Sequence, residues 1–475
     1  MNEQYRFSEY IRAIAALPNH DNLNPEAYSI GHLTDRALIY PNNGSDMKLN
    51  LASAIGVFAG AISPHSDECY FQIHACPMVT TSGWFGWGQQ QQRRLQTYYF
   101  SCPNVQARSR WIKAIQNILN GLPVDSQNPP DRRRLKIFLN PISGNQQGRK
   151  IFQHIRPILE HSNLEYTLTE TTYAGEIQAI LTKIDLSEID EVVIVGGDGS
   201  IHEAINGLIS RDDWQTAIQK PIGVIPAGTG NGFAKTLLEI AGEPEDPVSA
   251  AFLIAKGKQR PLDIAIAQQN GNRFYSFLSL GWAIISDVDI ESERLRFLGS
   301  LRTDIYALMR IVNLRHYPGR FSYLPATEDV NHAAECQVFN QCPSCSFEVD
   351  RHLPEPEASG EEWQVIEDDF VLLWAMNISY ATQDIKAAPK AHLSDGYIDV
   401  ILVRRGISKF NLLLAFLKSA RGEHLSLPGI EYYKVRRFRL EPLTDRGIFA
   451  VDGEKVDYFP IQMEVKRGLA RAICG

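Results

Sequence analysis

The chain has 475 residues, 44% of them hydrophobic and 21% charged, a composition typical of a globular protein with two or three domains. The net charge of −8 argues against nucleic acid as the main partner and against a broad cationic face for anionic membranes. Its seven cysteines do not resemble a disulfide framework, its first residues do not resemble a secretory signal, and its uncharged stretches fall short of the roughly 20 residues of a membrane span. We therefore expect a cytoplasmic protein.

The first region, residues 1–125, alternates short apolar runs with turn residues and ends in RSRWIKAIQNILNG. The apolar side chains of that last segment recur at helical spacing: Trp111, Ile112, Ile115, Ile118 and Leu119. Several strands followed by one tryptophan-bearing helix resemble a pleckstrin-homology-like domain. We therefore predict such a small β domain at 1–125, followed by a linker rich in proline and charge at 126–134.

A loop in this region, SGWFGWGQQQQRR, combines aromatic and basic side chains. The residues concerned are Trp84, Phe85, Trp87, Arg93 and Arg94. Such a group either dips into a membrane interface or forms an ordinary loop whose rings fold back onto the domain. The sequence leaves both interpretations open.

The second region, residues 135–262, alternates strand-like and helix-like segments. The strand-like segments are LKIFLNP, YTLTET, VVIVGG and IGVIPAG, and the helix-like ones include GRKIFQHIRPILEH and AGEIQAILTKI. This rhythm predicts an α/β domain with a parallel, Rossmann-like sheet. Three strand-to-helix turns, NPISGNQQG, GGDGS and PAGTGNG, are rich in glycine or small polar residues, and ligands gather at the carboxyl ends of such strands.

The turn GGDGS places one acid, Asp198, among glycines where a strand becomes a helix. Ser200 and Glu203 form a capping-box pattern, which predicts that the helix begins at Ser200. The N-terminus of a helix suits a phosphate, and glycines allow a ligand to approach the backbone. A carboxylate repels phosphate, so Asp198 is expected either to hold a metal or to accept a proton from a group that attacks the phosphate.

The third region, residues 263–475, is rich in strands, such as GYIDVILVRR, VRRFRLEP and GIFAVDGEKV. Helical stretches are predicted at residues 295–314 and around FNLLLAFLKSAR. A polar, acidic insertion at about residues 326–369 is predicted to be a loop or partly disordered. The region as a whole indicates a β-rich sandwich.

The pair GGDGSIHEAINGL and IPAGTGNGFAKTL resembles the lipid kinases of the diacylglycerol, sphingosine and ceramide kinase superfamily. Three further segments are similar to sphingosine kinases in particular: DWQTAIQKP, SLGWAIISDVDIESERLRFLGSLR and FRLEPLTDRGIFAVDGEKVDY. The resemblance implies an enzyme that uses ATP and Mg²⁺ to phosphorylate the primary hydroxyl of sphingosine or a related long-chain base. It also implies an active site in the cleft between the α/β and the β-rich domains.

By that resemblance Asp198 is the catalytic general base on the lipid hydroxyl, because a carboxylate within hydrogen-bond reach can orient the hydroxyl and take its proton. The resemblance also implies a set of ATP-binding residues in three loops and a C-terminal motif. These are Asn140, Pro141, Ile142, Thr171, Gly175, Gly196, Gly197, Gly199, Gly228, Thr229, Gly230, Arg296, Arg302, Asp452, Gly453 and Glu454. Arginine suits the phosphates because its planar fork binds them in two-pronged fashion, and the acids of the C-terminal motif are expected near the magnesium.

The resemblance assigns Asp289 to the ammonium of a long-chain base, because a carboxylate offers that cation a charge-assisted hydrogen bond. The alternative for its acidic segment, DVDIESE, is a helix N-terminus rich in acids. The helix that follows carries Ile305, Leu308 and Met309 on an apolar face. In this family such a face lines the channel for the alkyl chain, which is the interpretation we favour; the alternative is an ordinary core.

The acidic insertion contains the spacing H-x3-C-x5-C-x2-C, formed by His332, Cys336, Cys342 and Cys345. Thiolate and imidazole groups at such spacings can bind structural Zn²⁺ tetrahedrally, and the alternative is a set of unpaired surface cysteines. A related cysteine cluster and a first domain of this type occur in ceramide kinases, so ceramide kinase is the rival enzyme.

A rival of another class is a membrane-binding scaffold with an inactive kinase core, against which the intact Asp198 argues. The remaining expectations concern partners. We expect ATP, a long-chain base, a peripheral contact with a membrane surface and, as a further partner, a second copy of the chain. Nucleic acid is not expected.

Overall fold

The computed structural model describes residues 5–14, 28–42, 45–62, 69–82, 89–127, 131–292, 294, 301–326 and 362–475. The chain divides into two compact units. One contains Met1–Leu135, Phe152–Thr167 and Glu243–Gly257, and the other contains Lys136–Ile151, Leu168–Gly242 and Lys258–Gly475. Because this division follows contacts rather than chain order, the three-domain boundaries stay a prediction.

The first part of the chain forms an antiparallel sheet and one long helix. The elements are β1 (Phe7–Ile14), β2 (Ser29–Leu33), β3 (Ala37–Asn42), β4 (Ser45–Asn50), β5 (Ala54–Ile62), β6 (Cys69–Ala75), β7 (Met78–Ser82), β8 (Gln89–Arg93), β9 (Gln96–Cys102) and α1 (Val105–Leu119). The strand order is β4-β3-β2-β1-β9-β6-β5, with β7 and β8 paired separately. The predicted helix is confirmed: Asn104 caps its N-terminus, and Trp111 is buried with Phe71 and Phe100. The pleckstrin-homology-like identity of the region stays a prediction.

Arg93, at the end of β8, does not face a membrane. Its guanidinium forms an ion pair with Glu243, with Nε 2.6 Å from Oε2, and lies 3.7 Å from the ring centroid of Phe252. Trp84, Phe85 and Trp87 lie outside the described residues. The interpretation that Arg93 contacts a membrane is therefore wrong, because its charge is already paired within the protein.

The middle of the chain has the predicted alternation of strands and helices. Its elements are β10 (Arg133–Leu139), α2 (Ser143–Gln146), α3 (Gly148–Glu160), β11 (Leu164–Glu170), α4 (Glu176–Leu181), β12 (Glu191–Gly196), α5 (Asp198–Ile209), α6 (Trp214–Ala217), β13 (Ile222–Pro226), α7 (Gly232–Ala241) and α8 (Pro247–Lys256). β12 and β13 are parallel and buried, as the continuous apolar runs predict. The carboxyl ends of these strands therefore lie at one edge of the sheet.

The start of α5 differs from the prediction. The helix begins at Asp198, after Gly197, rather than at Ser200, and no side chain caps it. The carboxylate of Glu203 instead accepts a hydrogen bond from the backbone N–H of Ile177 in α4. The capping-box interpretation is wrong because the tertiary contact with α4 takes the glutamate that a local box would use.

The last part of the chain is β-rich. Its elements are β14 (Gln259–Gln269), β15 (Asn272–Ser276), β16 (Ser279–Ala283), α9 (Ile284–Glu291), α10 (Leu301–Val312), β17 (Tyr317–Pro325), β18 (Gln364–Met376), β19 (Ile398–Arg404), α11 (Lys409–Ser419), β20 (Glu431–Pro442), β21 (Phe449–Val451), β22 (Glu454–Val456) and β23 (Ile461–Ile473). β18 begins at Gln364, so the insertion predicted at about residues 326–369 was given a C-terminal end that is too late.

One continuous sheet joins the parallel and the antiparallel strands, in the order β11-β10-β12-β13-β23-β20-β17-β18-β16-β21-β22. β23 makes the join, because it runs parallel to β13 and antiparallel to β14 and β20. A core of large side chains, including Trp282, Phe370 and Phe438, fills the antiparallel part. Within the described residues, no helix has the length and apolar character needed to cross a membrane.

Candidate active site

Three turns of the second unit meet at the carboxyl edge of the parallel strands. A methyl group built on Gly228 would lie 2.5 Å from the Cα of Gly197, and one built on Gly144 would overlap the carbonyl oxygen of Ala227. Only glycine permits such close approach of backbone to backbone, and Gly144 also has a positive φ of 51°. The turns can therefore meet at this edge only because glycine stands at positions 144 and 228.

Asn231 fixes the turn between β13 and α7. It adopts the left-handed conformation, with φ of 56°, and its side chain accepts from the N–H of Gly228 and donates to the carbonyl of Gly228, both at 2.8 Å. The N–H of Gly228 is therefore already engaged. Among the predicted residues of this turn, Thr229 and Gly230 line the cavity together with Gly228.

Asp198 lies against the N-terminus of α7. Its carboxylate oxygens accept hydrogen bonds from the backbone N–H groups of Gly232 at 3.0 Å and Phe233 at 3.1 Å. A carboxylate offers about four acceptor positions, so two bonds leave capacity for a substrate hydroxyl. A methyl group on Gly230 would lie 3.1 Å from Oδ2, so a glycine there leaves the approach to the carboxylate open.

The protonation of Asp198 suits a base that works near neutral pH. Burial raises the pKa of Asp198 to about 6, and the nearby charge of Asp452 acts in the same direction, while the two N–H bonds lower it in part. The carboxylate is therefore ionised at neutral pH, yet basic enough to take a proton in a transition state.

Asp452 and Gly453 form the two-residue turn between β21 and β22. Both have positive φ, 49° and 85°, as a tight hairpin turn requires. The Asp452 carboxylate accepts from the Ser276 hydroxyl at 2.6 Å, from backbone N–H groups of residues 277 to 279, and from His202 Nδ1 at 2.9 Å. It is thus saturated with donors and joins the turn to α5 and β16, and the expectation that the acids of this motif lie near the magnesium stays a prediction.

His202 is a site residue that the sequence reasoning missed. It lies four residues after Asp198, one turn along α5, where the helical period places both on the same face. Burial lowers the pKa of His202, but its hydrogen bond to Asp452 and the nearby Glu454 and Glu203 outweigh burial and raise it. The imidazole therefore carries the link between the helix of the predicted base and the C-terminal turn.

A cavity of about 620 Å³ opens beside the glycine turns. One part is lined by residues of the turns, by Asp198 and by Asp289. The other part is apolar and is built by α9, α10, α11, β18 and β19. Its side chains include Ile284, Val288, Ala307, Ile311, Leu372, Trp374, Ile401, Val403, Leu412 and Phe416.

The apolar face predicted for α10 points away from this cavity. Ile305, Leu308 and Met309 are 39%, 46% and 55% exposed, and they do not line the cavity. The residues of α10 that do line it are Thr303, Ala307 and Ile311. At about 100° per residue the two sets lie on opposite sides of the helix, so the apolar stripe was assigned to the wrong side.

Asp289 and Asp287 have different roles, although both lie in the acidic segment. Asp287 is buried and accepts hydrogen bonds from Arg310 and from the hydroxyl of Tyr317, each at 2.6 Å. Asp289 lies two residues on, is exposed and lines the cavity, and a methyl group on Gly453 would lie 3.8 Å from its Oδ2. The buried ion pair thus anchors α9 and leaves Asp289 at the cavity.

The other predicted nucleotide residues are distributed unevenly. Asn140 and Ile142 line the cavity, as do Gly197 and Gly199 of the turn GGDGS. Five predicted residues do not line it: Pro141, Thr171, Gly175, Gly196 and Glu454. Thr171 is buried and bonded to the carbonyl of Leu139, and Glu454 is exposed, so their contacts with the nucleotide stay predictions.

Two predicted groups cannot be placed. Arg296 and the four predicted zinc ligands, His332, Cys336, Cys342 and Cys345, lie outside the described residues, and the side chain of Arg302 in α10 is also not described. Among the residues that the structure describes, no three His, Cys, Asp or Glu side chains are grouped to hold a metal ion. The described donors therefore do not fit a metal held by the protein alone.

Two families match long segments of the chain. Residues 134–267 match the diacylglycerol kinase catalytic domain, and residues 358–474 match the YegS C-terminal NAD kinase beta sandwich-like domain. The crystal structure of a proposed diacylglycerol kinase from Bacillus anthracis is similar to this chain with a TM-score of 0.51 at 23% identity. The similarity covers 72% of this chain and 97% of that one. This part of the molecule therefore has a diacylglycerol-kinase-like fold with a C-terminal β-sandwich.

Named relatives are similar over most of their length. Sphingosine kinase 1 of Arabidopsis thaliana is 37% identical over 362 residues, which cover 71% of this chain and 74% of the relative. Sphingosine kinase 1 of Homo sapiens is 36% identical over 344 residues, which cover 70% of this chain and 88% of the relative.

Proposed function

Because this chain belongs to the sphingosine kinase family, we propose that ATP binds at its glycine turns, that a long-chain base fills the apolar part of the cavity, and that Asp198 activates the hydroxyl of the base. As a member of that family, the protein is an ATP-dependent lipid kinase that acts on sphingosine. The observation that carries the proposal is one cavity with an acid at its polar end and aliphatic walls at the other.

The nucleotide is proposed to lie against the three converging turns. Backbone groups of Gly197, Gly199 and Gly230 line the cavity where no side chain intervenes, which lets the phosphates approach the main chain. The contact of Gly228 with Gly197 holds two turns together, so that both address one phosphate chain. Arg296 and Arg302 are proposed to supply positive charge to the phosphates, as the family resemblance implies.

Asp198 is proposed as the general base. The hydroxyl oxygen of the long-chain base attacks the γ-phosphorus of ATP, and the bond between that phosphorus and the bridging oxygen of ADP breaks. The hydroxyl proton passes to the Asp198 carboxylate. The two N–H groups of α7 hold the carboxylate in place, and a pKa of about 6 keeps it ionised before the reaction. The role requires no movement of Asp198 away from its observed partners.

Asp289 is proposed to bind the ammonium of the base. It is exposed at the cavity and adjoins the C-terminal turn, so it can meet a head group held near Asp198. The buried pair of Asp287 with Arg310 fixes the helix that presents it. A carboxylate favours a cationic base over neutral ceramide or diacylglycerol, which offer no charge in return.

A divalent metal belongs to the chemistry of this kinase family, and we propose Mg²⁺. Mg²⁺ usually keeps several waters and binds through substrate phosphates and one or two carboxylates, so it does not require a preformed protein site. We propose that the phosphates of ATP carry it.

Peripheral membrane contact is proposed for the outer face of the helices that wall the cavity. Exposed apolar side chains lie on α10 and on α11, which pack against each other: Ile305, Leu308, Met309, Val312, Phe410 and Leu417. Exposed apolar side chains on two helices that wall a lipid cavity are suited to contact with a bilayer, from which a long-chain base must be taken.

A parallel kinase assay tests the substrate assignment. Radiolabelled ATP is offered to the full chain with sphingosine, ceramide or diacylglycerol, and Asp289→Asn is compared with the intact protein. We expect sphingosine to be preferred at least about tenfold, and Asp289→Asn to raise KM for sphingosine much more than KM for ATP.

Asp304→Asn, which changes an exposed acid at the start of α10, is the matched control and should leave both KM values unchanged. Equal rises in both KM values for Asp289→Asn would indicate a structural role. A preference for ceramide would favour the rival enzyme.

A further inference from the structure

One polar atom in the apolar part of the cavity has no partner. His424 follows α11 in a short 3-10 turn, Glu423–Ser426, and shares the cavity lining with Ala387, Ile401 and Ile430. Its side chain is only 6% exposed, and among the described residues nothing forms a hydrogen bond with its Nδ1. Native structures leave few buried polar atoms unpaired, so this one calls for an explanation.

The other ring nitrogen fixes which hydrogen bond Nδ1 can make. Nε2 lies 3.0 Å from the carbonyl oxygen of Ala387, and a carbonyl oxygen only accepts, so Nε2 carries the proton. Burial lowers the pKa of His424, more than its bond to Ala387 raises it, which keeps the ring neutral. Nδ1 is then an unprotonated nitrogen whose lone pair can only accept a hydrogen bond.

An acceptor in this position is unfavourable for a purely hydrocarbon ligand. A saturated alkyl chain would cover Nδ1 and leave it desolvated without a donor. A leucine or phenylalanine would make a better wall for such a chain. A histidine in this position is therefore suited to a ligand that brings a donor.

We infer that His424 is a specificity-determining residue that accepts a hydrogen bond from a hydroxyl on the alkyl chain of the substrate. The preferred substrate is then a long-chain base hydroxylated beyond its head group. This inference rests on the proposed function, because it takes the apolar part of the cavity as the site of the alkyl chain. The donor is expected from the chain rather than from the head group, because His424 shares its part of the lining with Ala387, Ile401 and Ile430, whereas the ammonium and the reacting hydroxyl are assigned to Asp289 and Asp198.

The test compares sphinganine with a set of its analogues, each carrying one additional hydroxyl at a different position along the chain. The full chain should phosphorylate at least one analogue with a kcat/KM above that of sphinganine. In His424→Leu that advantage should fall by about 10- to 100-fold, because a site built for a hydroxyl discriminates strongly when the bond is lost. The kcat/KM for sphinganine should change by a smaller factor, because sphinganine brings no additional hydroxyl to His424.

The ratio between two bases separates specificity from structural damage, because damage to the fold lowers both values together. His424→Gln, which keeps a donor and an acceptor on one side chain, should restore part of the advantage. Ile401→Val removes one methylene from the same wall without changing polarity, and should affect all bases alike.

The outcomes distinguish this inference from the proposed function. If the intact protein phosphorylates none of the bases, the proposed function fails and the inference fails with it. If it phosphorylates them all and no hydroxylated analogue has a kcat/KM above that of sphinganine, the proposed role of His424 is wrong and the kinase assignment stands. This outcome depends on the intact protein alone, so it holds even if the variants do not fold. An unchanged ratio in a folded His424→Leu leads to the same conclusion.

Discussion

The two ends of the cavity are built in opposite ways. The polar edge consists of three short turns, each continuous in sequence, and its predicted base is a single side chain within GGDGS. The apolar wall draws single residues from α9, α10, α11, β18 and β19, which are spread over more than a hundred positions of the chain. The proposed chemistry is therefore concentrated in contiguous segments, whereas the proposed alkyl-chain site is distributed over the fold.

The two ends also differ in how they treat a buried polar group. At the edge, Asp198 and Asp452 are surrounded by N–H, hydroxyl and imidazole donors that hold each carboxylate in one position. In the wall, His424 Nδ1 is left without a donor among the described residues. The edge is preorganised before substrate arrives, and the wall is completed by what the ligand brings.

The largest expected effect comes from removing the base at the edge. Asp198→Asn keeps the size of the side chain and one hydrogen-bond acceptor, but it removes the proton acceptor. Turnover should fall by about 10²–10⁴-fold, while the affinity for ATP changes little, because the turns that are proposed to bind it remain. Turnover and ATP binding are measured separately across a magnesium titration.

The pH profile provides the control for that result. Because the pKa of Asp198 is raised to about 6, the base is ionised above that pH, so kcat/KM of the intact enzyme should decline as the pH falls through about 6. Asp198→Asn should lose this inflection. Near-normal turnover in the variant, or a loss of activity that excess magnesium restores, would contradict the general-base role.

A second prediction tests whether the turns act as one packed unit. In Gly228→Ala the new methyl group would lie 2.5 Å from the Cα of Gly197, so one turn must move. Since a displacement of about 1 Å at a positioned site can cost about 10²-fold, KM for ATP should rise by about 10- to 100-fold. Steady-state kinetics at saturating sphingosine measure this change.

Gly199→Ala is the matched comparison in the neighbouring turn, because open space surrounds that position and its φ is not positive. Its KM for ATP should change several-fold less than that of Gly228→Ala. Equal effects at the two positions would mean that the turns contribute flexibility rather than close packing.

The contrast between edge and wall also explains what the sequence could predict. The alternation of strands and helices, the parallel pairing of β12 with β13, and the meeting of the glycine turns all follow from local patterns. The role of Asp452 does not, because a DG pair predicts the hairpin turn but not the donors from β16 and α5 that saturate the carboxylate. His202 had a usable signal, its spacing from Asp198.

The wall offered no comparable signal. Residues such as Leu372, Ile401 and Val403 lie in strands whose apolar runs look the same whether they pack against a core or against a ligand. The face of α10 was misassigned because an apolar stripe reveals that one side of a helix avoids water, not what covers it. Only the tertiary structure separates Ala307 and Ile311 inside from Leu308 and Met309 outside.

The smallest expected effect concerns that outer side. Replacing Ile305, Leu308 and Met309 together by glutamine removes exposed apolar surface without touching the cavity lining. If this face contacts a bilayer, the apparent KM for sphingosine in phospholipid vesicles should rise several-fold, because each buried methylene contributes only about 0.8 kcal/mol. Activity on detergent-dispersed sphingosine should stay unchanged, and vesicle sedimentation measures the binding directly.

Leu168→Gln, at an exposed leucine of β11, is the matched control and should alter neither assay. Loss of activity in detergent as well as in vesicles would place these side chains in the catalytic path and would overturn the division between the inner and outer faces of α10.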